Sequence, residues 1–160
     1  NLRKPLWKSM DDAKEKISWG LSQCDILKIS DDEIEFMTGE KDIKTGVKDI
    51  KTGVKKLIDE YHIPFICATM GKNGSMAFFD GHIVEAAPFL RDDTVETTGA
   101  GDTFCACLLH DVLEHGINDR KDDDVKKMLT FANAAASLIT TRKGALRVMP
   151  EKGEVEAVIK

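Results

Sequence analysis

Gly99-Ala100-Gly101-Asp102 is the stretch of this sequence best suited to chemistry. Glycines at a helix start let successive backbone N–H groups point at one concave spot, and the helix dipole adds positive potential there. Residues 97–104 therefore predict an anion hole. A carboxylate beside a bound phosphate would repel it. Asp102 makes chemical sense if it faces an acceptor hydroxyl and takes its proton while the amides hold the phosphoryl group in transfer. The same residues also suit an ordinary Gly-rich turn in which Asp102 is a first-turn helix charge. The segment is not a Walker A loop, because no Gly-Lys-Ser/Thr stands at the required spacing.

The elements around this segment follow from periodicity. Residues 11–23 read as a helix opened by Asp11 and Asp12, with Ala13, Ile17 and Leu21 on one stripe. Residues 24–29 form a short apolar run that suits a buried strand. Ser30 then opens a short helix with Glu33 at capping-box spacing, and Gly39 ends it. Lys41-Asp42-Ile43-Lys44-Thr45-Gly46-Val47 is repeated unchanged as residues 48–54. Seven residues are nearly two helical turns, so the copy preserves an apolar stripe of Ile43, Val47, Ile50, Val54 and Leu57 on a helix reaching about Tyr61.

Residues 64–69 predict a second buried strand, ending in Met70-Gly71-Lys72-Asn73-Gly74. Residues 75–79 and 82–87 flank Asp80-Gly81, a hairpin turn signal. Residues 94–98 read as extended and lead into the glycine-rich segment. A helix follows to about His115, with Phe104, Leu108, Leu109 and Val112 at helical spacing, and Gly116 stops it. Residues 125–141 predict a helix with Met128, Leu129, Ala132, Ala135, Ala136 and Ile139 inward. Residues 144–150 form a loop or short strand, and a last helix spans 151–159. Strands alternating with helices indicate an α/β layered domain.

At 160 residues, 42% hydrophobic and 32% charged, the chain has the composition of one globular domain. Its net charge of -5 argues against nonspecific nucleic-acid binding, which needs a basic face. It does not argue against ATP, which local donors and metal can hold. No apolar run has membrane-spanning length and no signal-peptide pattern is present. Cys24, Cys67, Cys105 and Cys107 sit in apolar stretches, as reduced, buried thiols of a cytoplasmic protein would. His62, His82, His110 and His115 share no metal spacing, and Asp122-Asp123-Asp124 reads as a solvated helix start.

Four motifs in order carry a resemblance to a known family. Residues 95–104 closely resemble the C-terminal signature of ribokinase-like (PfkB-type) carbohydrate kinases. Ser30-Asp31-Asp32-Glu33 resembles the family's Asn-x-x-Glu segment, and Thr69-Met70-Gly71-Lys72-Asn73-Gly74 its nucleotide loop. Phe131-Ala132-Asn133-Ala134-Ala135-Ala136, with Thr141-Arg142-Lys143-Gly144-Ala145 and Pro150, resembles its adenine and cation region.

The resemblance implies a three-layer ribokinase-like α/β fold, of which residues 1–160 are the C-terminal nucleotide-binding and catalytic portion of the central sheet and its flanking helices. It implies Asp102 as base and the amides of Gly99, Ala100, Gly101 and Asp102 as anion hole. Thr69, Gly71, Lys72 and Gly74 would line the ATP phosphates and ribose, with Asn133 and Ala136 bordering adenine. Glu33 would organise Mg²⁺ through water, a role that suits a carboxylate and a hard ion. K⁺ would lie among Glu96, Thr98, Ile139, Arg142 and Gly144. Three positions depart from the family pattern: Glu96 replaces the usual Asp, Ser30 the usual Asn, and Val148 a frequent hydroxyl.

Asn1-Leu2-Arg3-Lys4-Pro5-Leu6-Trp7 resembles a segment of fructokinases, with Arg3 as a sugar contact, and points to fructose and ATP as small-molecule partners. Keto-deoxygluconate kinase, ribokinase and a catalytically silent nucleotide-binding module stay open. Family members are roughly twice this long, with a Gly-Gly sugar motif and a lid in their N-terminal half. The expectation is therefore a fragment with little activity alone, a homodimer being open to the full-length protein.

Overall fold

The computed structural model describes residues 2–40 and 47–160. Four strands, β1 (Ile26–Ser30), β2 (Phe65–Thr69), β3 (Ser75–Phe79) and β4 (His82–Ala86), lie in that order in one sheet. Helices flank β1, but β2, β3 and β4 follow one another without an α-helix between them and three α-helices come after, so the expected alternation holds only for the first part of the chain. Two compact units divide the chain: residues 1–70 with 78–81, and residues 71–77 with 82–160.

In the first unit, α1 (Met10–Leu21) is capped by Ser9, whose hydroxyl accepts from the Asp12 amide, so the helix begins one residue earlier than the two aspartates suggested. β1 (Ile26–Ser30) pairs in parallel with β2 (Phe65–Thr69), Ile26 opposite Phe65 through Ser30 opposite Thr69. The two strands differ in burial. Ile66, Cys67 and Ala68 of β2 are sealed, whereas Ile29 alone of β1 is fully buried. β1 stands at the end of the strand order, and an end strand has cover from fewer neighbours.

Ser30 leaves β1 and caps α2 (Asp31–Thr38) in the predicted capping box, which Gly39 closes in the left-handed conformation. α3 (Val47–Tyr61) buries Ile50, Val54 and Leu57, the lower part of the expected stripe. Residues 41–46 of the repeat, and with them Ile43 of that stripe, lie outside the described residues, as does the Val47 side chain. Tyr61 at the end of α3 donates its hydroxyl to Ser18 of α1 at 2.9 Å. Phe65 stacks on Phe79 with ring centroids 5.5 Å apart.

Residues 75–77 of β3 (Ser75–Phe79) belong to the second unit and its last two residues to the first; Asp80 and Gly81 join it to β4 (His82–Ala86) of the second. Both turn residues have positive φ (46° and 78°), the backbone of a type I′ hairpin turn. α4 (Ala100–His115) and α5 (Asp122–Ile139) pack against each other, and α5 also meets β4 and α6 (Lys152–Ile159). Met128, Leu129, Ala132, Ala135 and Ile139 are buried on α5, as their spacing predicts, together with Val125, Asn133, Ala134 and Leu138, while Ala136 is half-buried. On α4 the stripe is narrower than expected. Phe104 and Leu108 are buried, but Leu109 is 48% exposed, because it lies a further 100° round the helix from Leu108.

Residues 94–98 form no strand. The four cysteines are free thiols. Cys67 alone of them is fully buried, against the expectation of four buried thiols. Burial does push the Cys107 thiol up to about 11, which keeps it protonated and inert. No helix among the described residues is long and apolar enough to cross a membrane.

Candidate active site

The candidate positions divide between the two units. In the second, α4 begins where the sequence places the anion hole. Gly99 caps the helix in the left-handed region (φ 83°, ψ -7°). A side chain is disfavoured there twice over, by that φ and by a tight approach to the Ile139 Cδ1 atom, 3.1 Å from where a Cβ would sit. The Ala100 amide turns back to the Thr97 carbonyl at 3.2 Å, and the Thr103 amide reaches Gly99 at 2.8 Å. The Gly101 and Asp102 amides fall between them in the first turn of the helix. Asp102 is exposed beside these donors, with Thr103 buried next to it.

The approach to this turn is held by backbone bonds instead of strand pairing. The Val95 and Glu96 amides both donate to the Thr140 carbonyl, at 2.8 and 3.1 Å. The Gly144 amide donates to Glu96 Oε1 at 2.7 Å. The Ile139 carbonyl accepts from the Arg142 amide at 3.1 Å. The structure thus brings Glu96, Ile139, Arg142 and Gly144 to one junction beneath Gly99, with Thr98 exposed at its edge. The Glu96 carboxylate takes part in closing this junction through its bond from Gly144. A monovalent cation here would add carbonyl ligation to loops that protein bonds already join. Arg142 is also tied down, its guanidinium donating to the Val148 carbonyl and to Glu154. That ion pair and the Glu151 amide hold the Glu154 carboxyl below the usual range.

Gly71, Lys72 and Asn73 form a short 3₁₀ turn, exposed, that ends on Gly74. Gly74 is buried at φ 87°, and a Cβ on it would lie 2.2 Å from the Ala86 carbonyl oxygen. Asn133 approaches that same carbonyl from α5. Its Nδ2 donates to Ala86 at 3.3 Å and to Ala87 at 3.0 Å. Ala136 lies one turn further along α5, half-buried.

In the first unit, Glu33 is the best-connected candidate. Its Oε2 accepts from the Ser30 amide at 2.9 Å and the Ser30 hydroxyl at 3.0 Å, and its Oε1 from the Leu2 amide at 3.0 Å. Burial alone would raise its carboxyl, but these hydrogen bonds outweigh it and hold the group below its ordinary value. The capping box and the anchoring of Leu2 are therefore both real. A carboxylate committed to these bonds suits an outer-shell contact with Mg²⁺ better than direct chelation. Among the described residues no three His, Cys, Asp or Glu side chains gather into a metal cluster. Glu33 lines a groove of about 590 Å³ with Leu2, Lys4, Ser30, Asp32, Glu35 and Phe36. Arg3 is exposed before the 3₁₀ turn Lys4–Leu6. Thr69 ends β2, its hydroxyl donating to the Ile29 carbonyl at 3.4 Å.

Three contacts here leave no signal in a single sequence: Leu2 to Glu33, Thr140 to Val95 and Glu96, and Asn133 to Ala86 and Ala87. Each has a backbone group as partner, and any residue type supplies a backbone group.

A family model of the pfkB family carbohydrate kinases matches residues 1–152. The chain belongs to this family. It is 32% identical over 160 residues to fructokinase-2 of Zea mays, covering 99% of this chain and 45% of that protein. A structure of Arabidopsis thaliana ribokinase complexed with ribose and ATP is 28% identical, with a TM-score of 0.75 over 89% of this chain and 43% of that one. Fructokinase from Vibrio cholerae O395, in a form with fructose, ADP and calcium ion bound, shares the fold at a TM-score of 0.83. It is 24% identical, over 99% of this chain and 48% of that one. The chain spans just under half the length of each of these proteins.

Proposed function

We propose that the chain carries the nucleotide and base side of an ATP-dependent sugar kinase, with fructose as acceptor and fructose 6-phosphate as product. The observation that carries this is the start of α4. A left-handed Gly99 opens the helix, and Asp102 stands exposed in its first turn, where the helix dipole is positive. Among common reactions, phosphoryl transfer to a hydroxyl uses both at once.

In this reading Asp102 takes the proton of the acceptor hydroxyl as its oxygen attacks the γ-phosphorus. The bond from that phosphorus to the β,γ-bridging oxygen breaks, and ADP departs. The amides of Gly99 to Asp102 hold the charge that develops on the transferring group. Thr69, Gly71, Lys72 and Gly74 are assigned to the phosphates and ribose, Asn133 and Ala136 to the border of the adenine pocket, and Arg3 to the sugar. Mg²⁺ would screen the phosphate charge, with Glu33 orienting its water. K⁺ would sit among Glu96, Thr98, Ile139, Arg142 and Gly144. Reduced thiols suit a cytoplasmic setting.

Fructose is favoured by the segment Asn1 to Trp7 and by the likeness to fructokinases. A coupled assay of ADP release by the intact protein, across fructose, ribose, keto-deoxygluconate and adenosine, tests the reading. Turnover of fructose above the others is expected. Turnover of ribose or keto-deoxygluconate instead would move the acceptor within the family, and turnover of none would overturn the kinase reading.

A further inference from the structure

Gly74 and Asn133 are 59 positions apart, yet they converge on one piece of backbone. Ala86 ends β4, and its carbonyl oxygen lies where only a glycine can pass: a Cβ on Gly74 would come within 2.2 Å of it, and within 3.1 Å of the Pro88 nitrogen. From the other side the Asn133 amide nitrogen donates to Ala86 and to Ala87, at 3.3 and 3.0 Å. Asn133 is 9% exposed, in a face of α5 otherwise made of alanines and larger apolar groups. A buried amide in such a place is retained only if its hydrogen bonds are made, and its donor end is spent on these two carbonyls.

We propose that Asn133 is a positioning residue that sets the Gly71–Gly74 turn through the Ala86–Ala87 backbone and does not discriminate the base. The inference rests on the nucleotide reading above and specifies how one of its residues works. The chain of contacts is short and rigid. α5 is anchored by its buried face, Asn133 fixes the two carbonyls, and Gly74 lies directly against the first of them. Losing the amide leaves both carbonyls without that donor and frees the segment on which the turn rests. Every nucleotide that uses the turn is then bound more weakly, whatever its base.

ATP and ITP differ in the ring substituent at purine position 6, so the pair separates the two roles. Calorimetric titration of the protein with MgATP and MgITP is compared for the native chain and Asn133→Ala. Loss of the buried donor should weaken both nucleotides by about tenfold. The ATP-to-ITP affinity ratio should stay within about twofold of the native value. Asn133→Ser, with a shorter donor, carries the same comparison if Asn133→Ala does not fold. Gly74→Ala disturbs the same carbonyl from the opposite side, so its effect and that of Asn133→Ala should be strongly non-additive in the double variant. A selective loss of ATP over ITP in Asn133→Ala or Asn133→Ser would overturn the proposal and make Asn133 a direct base contact, and simple additivity with Gly74→Ala would also overturn it. Failure of the native chain to bind either nucleotide would sink the nucleotide reading itself, and this role with it.

Discussion

Glu33 shows how one side chain can satisfy two accounts. Its carboxylate closes the capping box with Ser30 and also receives the Leu2 amide, 31 residues earlier in the chain. These bonds keep its carboxyl below the ordinary value of 4.5. A carboxyl lowered in the folded state contributes stability that is present above its unfolded value and is lost as pH falls through the folded one. Glu33→Gln removes the charge and with it that pH dependence. Urea unfolding should show the native chain losing stability below about pH 4.5 more steeply than Glu33→Gln, the Glu33 share being small because the group is only partly buried. Parallel pH profiles would contradict the assignment. From sequence, Ser30 and Glu33 were readable as a capping pair because the spacing is local. The tie to Leu2 was not, because it crosses from one segment to another through a backbone amide.

At the scale of elements, the junction between residues 94–98 and 139–145 supports the start of α4. Gly99→Ala places a Cβ at positive φ and against Ile139, and we expect it to destabilise the fold by about 1–2 kcal/mol, measured by urea unfolding. Glu96→Ala removes the acceptor for Gly144. It should cost about 1 kcal/mol, while Glu96→Gln, which keeps an acceptor oxygen, should cost less. Equal losses from Ala and Gln would show that the Glu96 bond to Gly144 contributes nothing.

The helices and strands were largely legible, since their apolar periods of 3.6 and 2 residues are written in the sequence. The capping pair at Ser30, the Asp80-Gly81 turn and the Gly116 stop each have residue types that strongly favour the local geometry they adopt. The segment 94–98 forms no strand although Val95 and its threonines favour one, because Thr140 takes the Val95 and Glu96 amides that a strand partner would have taken. The width of the α4 face was also misjudged. How far round a helix burial extends depends on where its neighbour lies, and no local signal carries that.

For the whole molecule, the account requires that nucleotide bind the folded chain and not the unfolded one. MgATP at a hundred times its dissociation constant should therefore stabilise the protein by about 2.7 kcal/mol. A melting temperature unchanged by saturating MgATP would contradict this. The four motifs that identify the family lie between residues 30 and 150, so the family was legible in the sequence, and the match over residues 1–152 agrees with it. The acceptor is carried by much less, chiefly the few residues around Arg3, and the assay across acceptors decides it.

The central claim is that Asp102 removes the acceptor's proton beside amides that hold the phosphoryl group. Its most direct test is Asp102→Asn in the intact protein, with ADP release on fructose and ATP affinity measured side by side. General-base loss predicts a fall in kcat of about a hundredfold or more, with ATP affinity within about twofold of native because the amides of Gly99 to Gly101 remain. An Asp102→Asn protein that keeps a tenth or more of native turnover, or one that loses ATP affinity in step with turnover, would contradict the account.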